Sequence, residues 1–395
     1  MDGSGMRCPT LSFRNERSDS DHARCQAHRL EFGASHSCQA PDSGVVSPGM
    51  GGNHVPSCQP PPREPRSLLF VDGFAGPGIY EDGSDGSPIL ALKAILDHSL
   101  DLPVPVRFAF IERDSERFEC LETLVTEMRK DLSQNPRIDS VKTHHGECDE
   151  VIQAGIDGYD EREEELGPAL FFLDQFGYSE VPMGLIERIM SHGQCEVFSY
   201  LNWEKMNRFL SDPSKWNALD AAFGGDDWQP ALEKHGEERQ EFIFKTYRDC
   251  LKAKASTRYV WHFGMLGKNR ALLHWLFFCT NSLRGLEEMK RAMTTVDKSG
   301  CFQFSDRDSP LQLEMFGVYT DDLLADTLHH RLAGKTMTGF EVKQYTLEDT
   351  PHYRYKRALR ILWKRGQLEA IDPPAGWRKG TFADENIAVR FTARR

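Results

Sequence analysis

The chain has 395 residues, 39% of them hydrophobic and 27% charged, with a formal net charge of −12. That length allows two domains and a tail, and that balance describes an ordinary globular protein. The excess of acid excludes coating of nucleic acid by the whole surface, so any such binding needs a local basic face. No stretch reaches the apolar length of a bilayer span, and the first residues lack the apolar core of a secretory signal, so a cytoplasmic location is expected.

Residues 1–66 are rich in Gly, Pro, Ser, His and Cys, show no helical or strand period, and end in Pro60-Pro61-Pro62, which predicts a disordered tail. Cys8, Cys25, Cys38 and Cys58, with His22, His28, His36 and His54, fit no zinc-finger or ribbon spacing, so no metal is expected. The chain's ten cysteines form no CxxC pair and read as reduced thiols.

From Ser67 short apolar runs alternate with helical stretches, the pattern of a mainly parallel sheet covered on both faces. The runs are Leu68–Val71, Val106–Ile111, a weaker one near Val141–His144, Ala169–Leu173 and Val197–Leu201. Helical spacing falls over Pro88–Leu96, Ser115–Arg129, Glu180–Met190 and Glu204–Leu210. Arg258–Met265 and Leu272–Thr280 flank Gly267-Lys268-Asn269-Arg270 and read as an antiparallel hairpin. The expected fold class is therefore α/β: a Rossmann-like sheet over residues 67–300 with five parallel strands closed by a hairpin, the strand order of class I methyltransferases and a count that another doubly wound fold of this size also reaches. Residues 203–257 form a helical insertion, either a substrate lid or a structural cover.

After a linker at 301–318, residues 319–395 predict a winged helix-turn-helix. Helices fall over Asp321–Ala333, Gly339–Leu347 and His352–Arg365, followed by a two-stranded ribbon at Gln367–Ile371 and Ile387–Phe391. Arg354, Lys356, Arg357, Arg360, Lys364 and Arg365 on the third helix, with Arg378 and Lys379 on the ribbon, set a basic face against an acidic whole. That contrast suits phosphate binding, and solvated surface charge is the competing reading.

Chemistry concentrates at the strand ends. The run Ser67 to Tyr80 joins a buried strand to a turn holding Gly76 and Gly78, with Asp72 at the junction. The glycines let backbone approach a nucleotide-like ligand closely. A carboxylate before the loop repels a pyrophosphate and suits the cationic amino and sulfonium groups of S-adenosylmethionine. Glu112, at the end of the second run, can accept both ribose hydroxyls, while Asp114 suits the first turn of the following helix. Glu147, after the third run, falls where an acid can meet an adenine amino group or cap a helix. In Asp174-Gln175-Phe176-Gly177-Tyr178 a strand-end acid precedes an aromatic, a pairing that can hold an exocyclic amine while a ring stacks on its base. The competing reading makes Asp174 a turn cap and Phe176 core.

These motifs together resemble the three-Cys-motif partner family. The likeness rests on Asp72 to Tyr80, Gly86-Ser87-Pro88, Glu112, Asp174 to Tyr178, Asn202 with Asn207-Arg208, Phe278-Cys279-Thr280-Asn281, Gly285-Leu286 and Met289. It runs from about Ser67 to Met293. The resemblance implies a class I methyltransferase-like domain, in some members followed by a winged helix, and a cofactor site at Asp72, Gly76, Gly78 and Glu112; Phe74, in the same loop, is a further candidate for cofactor binding. It also implies a protein partner carrying three cysteines and similar to radical S-adenosylmethionine enzymes. One departure stands out: the family usually has proline after the acid of the fourth motif, where this chain has Gln175. That change is expected to loosen the loop, and Tyr178 is the residue left to supply a stacking ring.

Two readings stay open. In one, the chain moves a methyl group from S-adenosylmethionine to a nitrogen of a nucleic-acid base, DNA or RNA, with Asp174, Phe176 and Tyr178 as catalytic residues. In the other, it is a non-catalytic cofactor- and nucleic-acid-binding partner of the three-Cys-motif protein.

Overall fold

The computed structural model describes residues 67–97, 102–267, 271–297, 303–305 and 320–393; the expected tail and the rest of the expected linker lie outside them. Five apolar runs become parallel strands, β1 (Leu68–Asp72), β2 (Val106–Glu112), β3 (Ile138–His145), β4 (Ala169–Leu173) and β5 (Cys195–Leu201). They pair in the order β3-β2-β1-β4-β5. The hairpin strands β6 (Tyr259–Leu266) and β7 (Leu272–Thr280) close the sheet, β7 lying antiparallel between β5 and β6. Residues 303–305, expected within a linker, instead add a short strand β8 beside β6. This is the expected Rossmann-like sheet, parallel strands closed by an antiparallel hairpin.

The helices of this part are α1 (Ser87–Leu96), α2 (Ser115–Gln134), α3 (Cys148–Glu161), α4 (Met183–Ser191), α5 (Trp203–Phe209), α6 (Trp216–Phe223), α7 (Gly236–Ala253) and α8 (Leu283–Val296). Because successive strand residues face opposite ways, Phe70 and Val71 feed two separate cores. Phe70, Phe108 and Phe110 pack under Leu92 of α1, Leu121 of α2 and Met289 of α8. Val71, Phe171 and Val197 pack under α3, α4 and the insertion. No helix is expected over 148–161, where Gly155 and Gly158 dilute the period; Ile152 and Ile156, one turn apart, bury against the sheet and hold α3 there. The insertion is a cover. Phe223, Trp228, Ile243, Tyr247 and Leu251 join the core over β5 and β7, and the Tyr247 hydroxyl lies 2.6 Å from that of Ser199.

The second domain is a winged helix of α9 (Asp321–Leu332), β9 (Thr336–Thr338), α10 (Gly339–Asp349), α11 (Tyr355–Lys364), β10 (Leu368–Ile371) and β11 (Ala388–Phe391). The ribbon gains a third strand over the expected two, in the order β10-β11-β9. Thr338 and Glu341 form a capping box at the start of α10, satisfying backbone donors at both positions.

The two domains meet along α8 and α10. Tyr259, Leu286 and Leu347 form an apolar seam, and Lys343 pairs with Glu287 at 3.2 Å. Lys290 is fully buried in this seam. Its ammonium donates to the backbone carbonyls of Leu347 and Thr350 at the end of α10 and lies 3.4 Å from the centroid of the Trp261 ring. A cation at a helix carboxyl end satisfies orphan carbonyls and opposes the dipole. Burial nevertheless pushes the Lys290 ammonium well below its ordinary range, against the pull of Asp349 and Glu348. Among the described residues no helix is long and apolar enough to cross a membrane.

Candidate functional site

Strands β1 and β4 adjoin where the strand order reverses direction, the crevice in which doubly wound sheets bind ligands. Asp72 closes β1 there, fully buried, and its Oδ1 accepts the Phe74 N–H at 3.0 Å. The loop then crosses the strand tips. The Gly73 N–H donates to the Phe172 carbonyl and the Ala75 N–H to the Ile111 carbonyl, both at 2.9 Å. Gly76 and Gly78 carry φ of +65° and +81°, a region that penalises any Cβ. A side chain at Gly76 would meet no protein atom within 4 Å, so the loop's outer side is open there.

Glu112 fastens this loop. Its Oε2 accepts the Gly76 N–H and its Oε1 the Asp114 N–H, each at 2.8 Å. Burial raises its carboxyl above the ordinary range, while the two backbone donors and the Arg117 guanidinium pull it down. A carboxylate offers about four lone-pair sites, so two remain for a diol. Both expected acids therefore hold one loop, Asp72 at its start and Glu112 at Gly76. Asp114 caps α2 through the Arg117 N–H, as expected.

Below the loop sits Cys148, whose Sγ lies 2.5 Å from where a Cβ on Gly73 would stand. Burial, then the charges of Asp149, Asp72, Glu180 and Glu147, push this thiol far up, away from the thiolate form. Arg113 offsets Glu147 and Glu180, which leaves Asp72 and Asp149 as the acids beside the loop; an acid there fits a sulfonium or ammonium group and disfavours a pyrophosphate. Glu147 is exposed at the start of α3, 3.6 Å from Arg113, and makes no cap bond. Arg113 is held closer by Glu180, at 2.9 Å.

The fourth motif is firmer than its sequence implies. Gln175 is buried; its amide donates to the Tyr200 carbonyl at 3.0 Å, and its oxygen accepts the N–H groups of Glu180 and Val181. These bonds brace the loop that the missing proline was expected to leave loose. Asn202 adds a bond from its side-chain amide to the Phe176 carbonyl at 3.3 Å. Asp174 is buried at the tip of β4. Phe176 is 38% exposed, which overturns its reading as core. Tyr178 is the correction in the other direction: it packs in the core beneath the sheet and offers no free ring face.

One residue of the cleft escapes the sequence reading. The half-buried Arg117, in the first turn of α2, lays its guanidinium 5.9 Å from the centroid of the Phe176 ring. A cation in the first turn opposes the helix dipole, and that misfit was the available signal.

The basic face divides. Arg354 and Arg357 turn to Asp321, Lys356 to Glu385, and Arg365 to Asp322 and Asp326. Arg360, Lys364, Arg378 and Lys379 are exposed and make no ion pair with any described residue. Trp363 of α11 packs edge-on to Trp377 at 5.4 Å, fixing the ribbon that carries Arg378 and Lys379. Among the described residues no cluster of His, Cys, Asp or Glu could hold a metal ion.

Residues 298–375 match the family described as the GMT-like wHTH domain. No curated protein matches the chain. Among solved structures, TYW2 of M. jannaschii, determined in complex with AdoMet, aligns over 53% of this chain and 67% of that one at 9% identity and a TM-score of 0.25. A DUF574 family protein from Streptomyces avermitilis aligns over 67% and 84% respectively, at 8% identity and a TM-score of 0.30. The chemistry of the site rests on its own residues, and the C-terminal unit is similar to a winged helix-turn-helix family.

Proposed function

We propose that this chain is an S-adenosylmethionine-dependent methyltransferase acting on a nitrogen of a nucleic-acid base. The observation that carries the reading is the pair of acids on one loop, Asp72 at its start and Glu112 at Gly76. Asp72 would hold the cationic amino acid end of the cofactor and Glu112 its ribose, with Phe74, Gly76 and Gly78 lining its path and Glu147 at the rim. S-adenosylmethionine supplies an electrophilic methyl group when bound. Asp174 would accept a hydrogen bond from an exocyclic amine and so aim the nitrogen lone pair, and Phe176 would stack on the base. Arg360, Lys364, Arg378 and Lys379 would take phosphates, and the Lys290 seam would keep them at a fixed distance from the cleft.

A second reading, a cofactor-sensing partner of a three-Cys-motif protein, draws on Tyr178: with that ring in the core, Phe176 alone is left to stack on a base. Calorimetry with S-adenosylmethionine tests the shared pocket. Asp72→Ala and Glu112→Ala should each weaken binding tenfold or more, and unchanged heats in both would sink the site. Labelled methyl transfer to DNA and RNA, with Asp174→Ala as the inactive control, separates the two readings; transfer to neither polymer favours the partner.

A further inference from the structure

Phe176 and Arg117 follow β4 and β2, the two strands that flank β1. Phe176 stands on the loop after β4, which Gln175 and Asn202 hold in place. Arg117 is rooted in the first turn of α2, where its own N–H is fixed by Asp114, and its charge is felt by Glu112. The guanidinium thus reaches from the helix that follows Glu112 to the loop that follows β4, and faces an aromatic ring that the core leaves exposed.

We infer that Arg117 and Phe176 are the two jaws of a clamp for a single nucleobase. The inference rests on the base-methylating reading and adds to it a second planar surface and the residue that supplies it. A flat ring inserted between two flat groups needs two van der Waals contacts of about 3.5 Å, or about 7 Å in all. The guanidinium carbon lies 5.9 Å from the ring centroid, so seating a base requires the arginine to swing outward, a rotamer adjustment for a half-buried side chain. A cation over a ring at an exposed site is a weaker contact than a base stacked on that ring, so an entering base displaces the direct contact and gains a face on each side. Unpaired bases are held in this manner on aromatic rings and guanidinium planes. Asp174, buried at the strand tip two residues before Phe176, gives the clamped base an acceptor at its edge. The clamp selects flat, unpaired bases, so the substrate is single-stranded or flipped out of its duplex.

The test uses the full chain and a short single-stranded DNA or RNA carrying one 2-aminopurine, whose fluorescence reports stacking. The wild type should bind it and change the probe signal. Arg117→Ala and Phe176→Ala should each weaken binding about tenfold and abolish the change. Phe176→Tyr should restore both, while Arg117→Lys, which keeps the charge and loses the plane, should leave the signal unrestored. Circular dichroism and melting curves confirm that each variant is folded. Full rescue by Arg117→Lys, or a normal signal in either alanine variant, overturns the clamp and leaves base methylation standing. A wild type that takes up S-adenosylmethionine and binds neither oligonucleotide overturns the base-methylating reading and the clamp with it.

Discussion

At the carboxyl end of the parallel strands Glu112 accepts two backbone N–H groups at 2.8 Å, and Arg117 adds a nearby positive charge. At the amino end of the same sheet Glu196, at the start of β5, has the Thr280 hydroxyl at 2.8 Å. Burial drives both carboxyls upward, but only Glu196 is pushed to about 7. The surroundings differ too: Glu196 borders an apolar cavity of about 40 Å³ lined by Leu68, Phe70, Ile95, Val106 and Leu170. One end of the sheet meets its acid with backbone N–H donors, and the other surrounds it with apolar side chains. The backbone makes that difference, because strand tips that lead into a glycine loop present N–H groups whereas the strand starts here present apolar side chains.

Packing at the carboxyl end gives the largest expected effect. A Cβ at Gly73 would stand 2.5 Å from the Cys148 Sγ and 3.1 Å from a Leu173 methyl, so Gly73→Ala should destabilise by about 3 kcal/mol. Thermal melts should show a drop of several degrees, mostly recovered when Cys148→Ala is added. A Gly73→Ala variant that melts like the wild type would mean that the loop is not pressed onto the tips, and the contrast between the ends would fail.

Next comes the fastening itself. Glu112→Gln keeps the shape but turns an NH₂ toward one of two backbone donors, which should cost about 2 kcal/mol. Hydrogen exchange should localise the loss, with the Gly76 amide exchanging faster in the variant. Unchanged protection at Gly76 would show that Glu112 is no fastener.

How much of this was legible in the sequence follows from the reach of each interaction. Asp72, the loop glycines, Glu112 and the Asp114 cap are signalled within a few residues, because strand ends, positive φ and caps are local. The Gln175 brace reaches Tyr200, 25 residues on, and without it the loop reads as loose. Phe176 stands outward and Tyr178 inward, and the local sequence left both rings open to stacking on a base. The basic helix reads as a continuous cationic face until α9 packs beside it, since Asp321 meets Arg357 across 36 residues. Strand β9 has three residues, too few for a period.

The amino end yields the smallest effect and the sharpest pH signature. A carboxyl that ionises near 7 when folded and near 4.5 when unfolded keeps its proton in the folded state over the interval between. The unfolded chain releases its proton first as pH rises, so wild-type stability is full below about 4.5, declines toward 7 and is flat above. Glu196→Gln accepts the same Thr280 bond and cannot ionise, so its stability should stay level across that window. Above pH 7 the variant should exceed the wild type by on the order of 2 kcal/mol, a figure reduced for the solvent that still reaches the residue. Melting temperatures of both proteins measured across the window decide it. Parallel curves would mean that Glu196 already ionises in the folded protein as it does in the unfolded chain, and the contrast between the two ends of the sheet would fail.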